Sequence, residues 1–503
     1  MAQHRFGRRL SVQDSAFIYF ERDESPLNVG SVGIYEGRIP FQRVVDHLNS
    51  RIRAIPRYRQ RLMFVPFNIA RPTWEDDPNF DILDHIHRVS LPSPGDDDQL
   101  ARLAGELWGS PLSRTKPLWE LFLIEDLSAD RTALLAKVHH CMIDGVSGIE
   151  LLMAALDVDP EPPPPQSEEP PYDPDPIPAP QTRLIDALFH QVDQAVQTFA
   201  DFQQSLLNPR RRLQRSGETF RDLQQLVPLF IHSAPKTPFN APLSGRRSIA
   251  WTEMSFAEIR GIRRALGGTV NDVALTILSG ALQRYLELHG QSTESLDLRV
   301  MTPVNIRRED EKGKLGNRIS AMFVPLPVGI SDPVERARVV RERVEALKEA
   351  NQARAVDTFF RMMDIVPVSL IAATGRGPWM NNTVFNLICT NVPGPMIPLY
   401  CVGHRLLAHY PLVPQTWELG IAVGITSYDQ KLYFAFVADT KVVPDVKRLK
   451  EFLDQSFLEL RTAAGVTPTD LPAVIGGPAI ELPAAREIPW ARAAADVYWR
   501  GAR

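Results

Sequence analysis

Apolar residues recur along this chain with two different periods, and each period predicts its own elements. In residues 183 to 207, RLIDALFHQVDQAVQTFADFQQSLL, the positions Ile185, Leu188, Phe189, Val192, Val196, Phe199 and Leu206 fall at helical spacing. That predicts an amphipathic helix, running into the basic stretch NPRRRLQR. Such a helix docks on the protein or lies on a membrane surface. Its polar face carries Gln and Asp and few Lys or Arg, so docking is the expectation. VPDVKRLKEFLDQSFLELRTAA, with Pro444 near its start, predicts a second amphipathic helix. AEIRGIRRAL and TVNDVALTILSGALQRYLELHG read as helices. RTALLAKVHH, RRSIAWTEMS and KLYFAFVADT read as strands. Strands and helices mix without strict alternation, which predicts an α/β protein with mixed sheets and not a barrel.

Length and proline content divide this pattern. A chain of 503 residues is too long for one ordinary core, so two domains are expected. Between residues 159 and 180 half of the positions are proline, with acidic residues between them. Such a stretch stays extended and buries no core. The expected divisions are an N-terminal domain over 1–158, a connector with its helix over 159–245, a C-terminal domain over 246–464, and a Pro/Ala/Gly-rich tail over 465–503.

Composition removes several function classes. Hydrophobic residues make up 44% and charged residues 23%, as in a globular protein. A net charge of −4 argues against a general nucleic-acid binder. No stretch approaches ~18 consecutive apolar residues, so no membrane-spanning helix is expected, and the N-terminus lacks the apolar segment of a secretory signal. Three scattered cysteines, Cys141, Cys389 and Cys401, offer no disulfide framework and no zinc spacing, and fit a reducing cytosol.

The candidate chemistry lies in KVHHCMIDGVSGIELL, residues 137 to 152. A strand is expected to run to the two histidines. Ser147 and Glu150 form a capping-box spacing, so a helix is expected from about residue 148. Cys141 to Gly145 then occupy a tight strand-to-helix loop, with Gly145 free to supply an unusual backbone angle. If the strand reaches His140, the adjacent side chains point to opposite faces, so His139 and His140 cannot share one task. His140, nearer the loop, is the better working base. A zinc site needs three protein ligands, which this spacing does not provide. A Cys-His pair with Cys141 as nucleophile is disfavoured because sequence neighbours need not meet in space. The spacing alone leaves a reaction centre and a pair of satisfied core histidines both open.

HHCMIDG matches the HHxxxDG motif of the bacterial wax ester synthase/acyl-CoA:diacylglycerol acyltransferase family, and further motifs follow in order. RLSVQDSAFIYFE followed by LNVGSVGIYEG resembles the family's N-terminal strand region. SRTKPLWELFLIEDL carries its PLW triplet as Pro117, Leu118 and Trp119. TVNDVALTILSGAL carries its Asn-Asp pair as Asn271 and Asp272. TNVPGP carries its Asn-Val-Pro-Gly-Pro turn as Asn391 to Pro395. The resemblance spans about residues 9 to 463 and omits the tail.

The resemblance implies a two-domain, chloramphenicol acetyltransferase-like fold with an interdomain tunnel. It implies transfer of an acyl group from acyl-CoA to diacylglycerol or a long-chain alcohol, with His140 as general base and no cofactor or metal. Asp144 would fix the loop through an arginine, His139 and Gly145 would shape the site, and Asn271 is the candidate for the oxyanion. Trp119, Asn391, Pro393 and Gly394 are placed near substrate, with core packing (Trp119) and a plain turn (391–395) as the other readings. Asp272 with Thr269 also fits a simple helix cap. The implied place of work is the cytoplasm, with peripheral attachment to a membrane or lipid droplet. A lipid-surface binding protein without turnover, and a condensation-type acyltransferase of natural-product assembly, are the other functions open at this point.

Overall fold

The computed structural model describes residues 9–52, 55–142, 156–161, 172–207, 224, 226–305, 319–363, 370 and 384–469. Asp144, Gly145, the helix expected from about residue 148 and the tail from 470 lie outside them. The N-terminal half comprises α1 (Val12–Phe20), β1 (Asn28–Glu36), α2 (Phe41–Ile52), β2 (Gln60–Met63), β3 (Thr73–Asp76), β4 (Ile86–Ser90), α3 (Asp97–Gly109), β5 (Trp119–Leu127) and β6 (Arg131–His139). Helices α4 (Pro180–Leu207) and α5 (Val227–Ile231) follow. The rest comprises β7 (Arg247–Ser255), α6 (Phe256–Leu266), α7 (Val270–Leu288), β8 (Asp297–Asn305), β9 (Ile319–Pro327), α8 (Pro333–Glu349) and α9 (Gln352–Met363). It ends with β10 (Leu387–Val392), β11 (Tyr400–Cys401), β12 (His404–Leu412), β13 (Ile421–Tyr428), β14 (Lys431–Asp439) and α10 (Val446–Ala463).

Two six-stranded sheets form, ordered β11-β12-β1-β6-β5-β4 and β7-β14-β13-β10-β8-β9. Both are mixed: β4 runs parallel to β5, and β10 parallel to β13 and β8, among antiparallel neighbours. The division at residue 246 needs one correction. Strands β11 and β12, expected in the C-terminal unit, cross over and complete the N-terminal sheet, where β12 pairs with β1 from Gly30↔Leu412 to Tyr35↔Leu406. The physical reason is burial: Leu406, Ala408, Tyr410 and Leu412 alternate along β12 and join the N-terminal core.

Strand β14 accounts for how the halves adhere. Leu432, Phe434, Phe436 and Ala438 pack into the C-terminal core under the helices, while Tyr433, Ala435 and Val437 pack into the N-terminal core. A strand buried on both faces reads as a continuous apolar run, as KLYFAFVAD does. The seam is sealed where α3 lies on β7; a Cβ on Gly105 would come 2.5 Å from the Arg247 carbonyl oxygen, so only glycine allows that approach. The buried Arg247 Nη1 pairs with Asp439 Oδ2 at 3.0 Å, and its Nη2 donates to the Glu24 carbonyl at 2.6 Å. The loop after α1 is thereby tied to the edge of the second sheet.

Among the described residues no single helix is long and apolar enough to cross a membrane. The bent pair α6–α7 approaches that composition, but α7 is buried in protein along most of its length.

Candidate active site

Strand β6 ends at His139, one residue short of the expected end, and His140 opens a 3-10 turn, His140–Met142. Leaving the strand separates the two rings more firmly than alternation would. His139 is 1% exposed, while His140 is half-buried.

His139 is held on both ring nitrogens. Nδ1 accepts the backbone N–H of Cys141 at 3.1 Å, which assigns the proton to Nε2. Nε2 faces Glu21 Oε1 at 3.3 Å. Glu21 caps the C-terminal end of α1, and its two oxygens also accept the Leu27 N–H at 3.1 Å and Arg114 Nη2 at 2.8 Å. Burial alone would raise the Glu21 carboxyl. The facing His139, Arg114 and the Leu27 amide outweigh that and hold it at about 2, a carboxylate throughout the physiological range. The His139 ring is enclosed and cannot itself reach a substrate; it is placed to orient the turn.

The same short helix reaches His140. Phe17 of α1 stacks on the imidazole, with centroids 3.9 Å apart and planes at 21°. The His140 N–H donates to the Leu27 carbonyl at 2.8 Å, which ties the turn to the chain entering β1. Its Nδ1 is buried, and among the described residues the group beside it is the residue's own backbone oxygen. Burial pulls the imidazole down to about 4, against the weaker opposing pull of that oxygen. His140 is thus neutral near pH 7, and with Nδ1 closed off, Nε2 is the nitrogen left to meet a substrate. Cys141 is 2% exposed and burial pushes its thiol well up, which removes it as a thiolate nucleophile.

Trp119 is corrected from pocket wall to core. It is wholly buried, donates Nε1–H to the Tyr58 carbonyl at 2.8 Å and stacks on His85 at 4.5 Å. Lys137, also buried, donates to the Leu107 and Ser110 carbonyls at 3.1 and 3.0 Å. There it satisfies the C-terminal end of α3 behind the motif strand.

In the C-terminal half, Thr269 and Asp272 form the expected reciprocal cap of α7: Thr269 Oγ1 accepts the Asp272 N–H at 3.2 Å, and Asp272 Oδ2 accepts the Thr269 N–H at 2.7 Å. Asn271 sits in the first turn, and its Oδ1 accepts Asn391 Nδ2 at 3.3 Å. Two motifs 120 residues apart thus meet directly. Beyond Asn391 the chain leaves β10 through exposed Pro393, and Gly394 N–H donates to Ser427 Oγ at 3.2 Å. A Cβ on Gly394 would collide with the Ser427 carbonyl oxygen. The turn at 391–395 is therefore bound to the end of β13. Sequence reasoning missed Phe17, Glu21 and Arg114. Glu21 ends an apolar run and Arg114 lies 93 residues away, a pairing that no local spacing encodes.

Two mixed sheets, the first completed by strands that cross over from the second half of the chain, with a histidine on the turn after a central strand, make up the two-domain chloramphenicol acetyltransferase-like class of fold. Family models carry this further. The wax ester synthase/diacylglycerol acyltransferase catalytic domain matches residues 10–274, and the family's C-terminal domain matches residues 315–461. The chain belongs to the wax ester synthase/diacylglycerol acyltransferase family, and is an acyl-CoA-dependent acyltransferase of neutral-lipid synthesis. It is 29% identical over 461 residues to a Mycobacterium tuberculosis protein named "probable diacyglycerol O-acyltransferase tgs1", covering 90% of this chain and 95% of the relative. It is 30% identical over 468 residues to the similarly named tgs2 of that organism, covering 90% and 98%. Among solved structures it resembles the wax ester synthase/diacylglycerol acyltransferase from Marinobacter aquaeolei VT8, with a TM-score of 0.64 at 24% identity over 91% of this chain and all of that one. The first condensation domain of the CDA synthetase shares the fold, with a TM-score of 0.55 at 13% identity over 92% and 97% of the two chains.

Proposed function

We propose that His140 is the general base that joins an acyl group from acyl-CoA to the free hydroxyl of diacylglycerol, with long-chain alcohol as an alternative acceptor. The carrying observation is the neutral, half-buried His140 ring, fixed by Phe17 and the Leu27 carbonyl, with only Nε2 free to act. Nε2 takes the hydroxyl proton as the acceptor oxygen attacks the thioester carbonyl. The tetrahedral oxyanion then collapses, the carbon–sulfur bond breaks, and the imidazolium returns its proton to the CoA thiolate. The products are an ester and free CoA. Protons and electron pairs balance between the two substrates and His140, so this reading calls for no acyl-enzyme, cofactor or metal.

General base catalysis supplies on the order of 10²–10⁴ in rate; alignment of two large substrates and support of the oxyanion supply the remainder. Asn271, in the first turn of α7 and in contact with Asn391, is the side chain proposed for the oxyanion. Asp144 and Gly145 are proposed to shape the loop that follows the turn. The two substrates would enter a tunnel between the halves from opposite ends. The relatives' names favour diacylglycerol as acceptor. Acceptor and product are both apolar lipids, so the enzyme is proposed to work at a membrane or lipid-droplet surface.

The test supplies oleoyl-CoA with dioleoylglycerol, hexadecanol or both in competition, and resolves the neutral lipids formed. Triacylglycerol is expected to dominate in competition. His140→Ala is expected to lower kcat on the order of 10²–10⁴-fold while the protein stays folded; full activity in that variant overturns the mechanism.

A further inference from the structure

We propose that the outward face of α4, together with Phe67, is the seat by which this enzyme rests on an anionic phospholipid bilayer. The inference deepens, and rests on, the reading that the enzyme works at a lipid surface. Helix α4 has two unlike sides. On one, Ala187 is fully buried, Arg183 donates to the Phe64 carbonyl at 2.7 Å, and Gln191 donates to the Ile69 carbonyl. Arg9 pairs with Asp186 at 2.5 Å along the margin. The helix is therefore docked, as its polar face predicted. On the other side Ile185, Leu188, Phe189, Val192 and Val196 are 50–71% exposed. At 100° per residue these five fall within about 100° of arc, opposite Ala187. Docking thus spends the polar side and leaves the apolar stripe facing outward, about 16 Å long.

A further exposed apolar residue lies on the segment against which α4 is docked. The turn Pro66–Asn68 packs against α4, and Phe67 in that turn is 86% exposed. Its φ of 61° lies in the left-handed region, which a bulky side chain rarely adopts. A strained backbone there presents a second exposed apolar group, the Phe67 ring, close to α4.

Charge selects the occupant. The segment before Arg9 and the segment after α4 hold Arg5, Arg8, Arg210, Arg211, Arg212 and Arg215, with no acidic residue in 1–8 or 208–215. An apolar stripe bracketed in sequence by cationic stretches suits a bilayer with anionic headgroups. The patch is also joined to the reaction centre. Tyr19 Oη donates to Asn68 Oδ1 at 3.4 Å, and the same helix α1 places Phe17 on His140. A bilayer seated here would hold diacylglycerol beside the helix that carries one wall of the site.

The three native cysteines are all buried, so Val192→Cys supplies a single reactive reporter in the full chain. In lipid-free monomer the reporter is expected to react rapidly with a polarity-sensitive maleimide. Its emission should then shift to the blue on phosphatidylglycerol-containing vesicles, and far less on pure phosphatidylcholine vesicles. Flotation with the same vesicles should weaken about tenfold or more in F189D/V192D, because each charged replacement forfeits the burial of a large apolar side chain. Acyl transfer to water-soluble dihexanoylglycerol should be unchanged in that double variant, which shows it folded. Any of three outcomes overturns the proposal: an unreactive reporter without lipid, meaning that the chain's own tail or a second copy covers the stripe; equal flotation of the double variant; or no flotation of the wild type. Acyl transfer to dihexanoylglycerol reads the proposed function separately, since it needs no bilayer.

Discussion

The turn after β6 and the start of α7 are two site regions assembled by opposite means. At the turn, His139, Arg114 and the Glu21–Leu27 segment come from three separate stretches, and the contacts are buried, partly ionic and, apart from Leu27 to Glu21, long-range. At α7, Thr269 and Asp272 satisfy each other three residues apart, and the one distant contact is a single amide pair, Asn391 to Asn271. A buried carboxylate is costly unless every lone pair finds a partner, so the turn depends on its whole set. The helix start tolerates loss of the Thr269 hydroxyl, because Thr269 is exposed and the first-turn amide it serves can turn to water, although Asp272 is itself buried. The two regions should therefore fail differently.

Glu21→Gln tests the turn and carries the largest expected effect. The substitution keeps size and removes charge, leaving Arg114 and His139 facing a neutral amide. Stability should fall on the order of 1–3 kcal/mol, and kcat should fall more than KM, since Glu21 acts through the turn and touches no substrate. The acid limb gives the distinguishing readout. The Glu21 carboxyl is about 2 in the folded protein against 4.5 ordinarily, so its stabilisation is complete above 4.5 and is lost as pH falls towards 2. Chemical denaturation followed from pH 5 downward should show that loss in wild type and a flatter slope in Glu21→Gln. Equal slopes would mean that the carboxylate does not hold the turn. His140 adds a separate slope higher up. Its folded value is about 4 against 6.5, so the unfolded chain binds the extra proton first and stability declines as pH drops from 6.5 to 4. The kcat/KM profile should accordingly show no loss near 6.5 and an acid limb near 4; a limb at 6.5 would place the working base elsewhere.

A smaller effect is expected where α7 meets the end of β10. Asn391→Ala removes the amide that holds Asn271 Oδ1. One neutral hydrogen bond is worth about 1 kcal/mol, so kcat should fall by about fivefold, with the thermal midpoint nearly unchanged. If Asn271→Ala lowers kcat much further, Asn271 contributes to the chemistry beyond that contact. Equal effects in the two single variants and in the double variant would reduce the pair to one structural contact.

The contrast between these regions also explains what could be read from the sequence. The cap of α7, the strand at 431–439 and the mixed sheets follow from the local pattern of residues, and the structure bears them out; His139 and His140 do separate, but because the chain turns after His139 and not by alternation along a strand. The crossing of β12 was illegible because alternation tells which side of a strand is buried, not against which sheet. Glu21 was illegible because the stretch around it resembles a strand region in sequence, whereas Val12–Phe20 is a helix, from which Phe17 and the C-cap Glu21 address successive histidines. Trp119 was misplaced because a large aromatic in a motif looks the same in sequence whether it lines a pocket or, as here, fills a core and donates to the Tyr58 carbonyl.

Thr269→Ala sharpens the same contrast from its weak end. The threonine hydroxyl caps α7, and Asp272 still bonds the backbone N–H of residue 269 after the change. Removing one half of a reciprocal cap costs about 1 kcal/mol. The deeply buried body of α7, from Val273 to Leu286, should hold the helix in place. Urea denaturation should therefore register a loss of about that size, and kcat per folded molecule should stay at the wild-type value. A tenfold fall in kcat with so small a loss of stability would show that the α7 terminus is as finely constrained as the histidine turn, and would erase the distinction between a locally capped and a globally clamped half of the site.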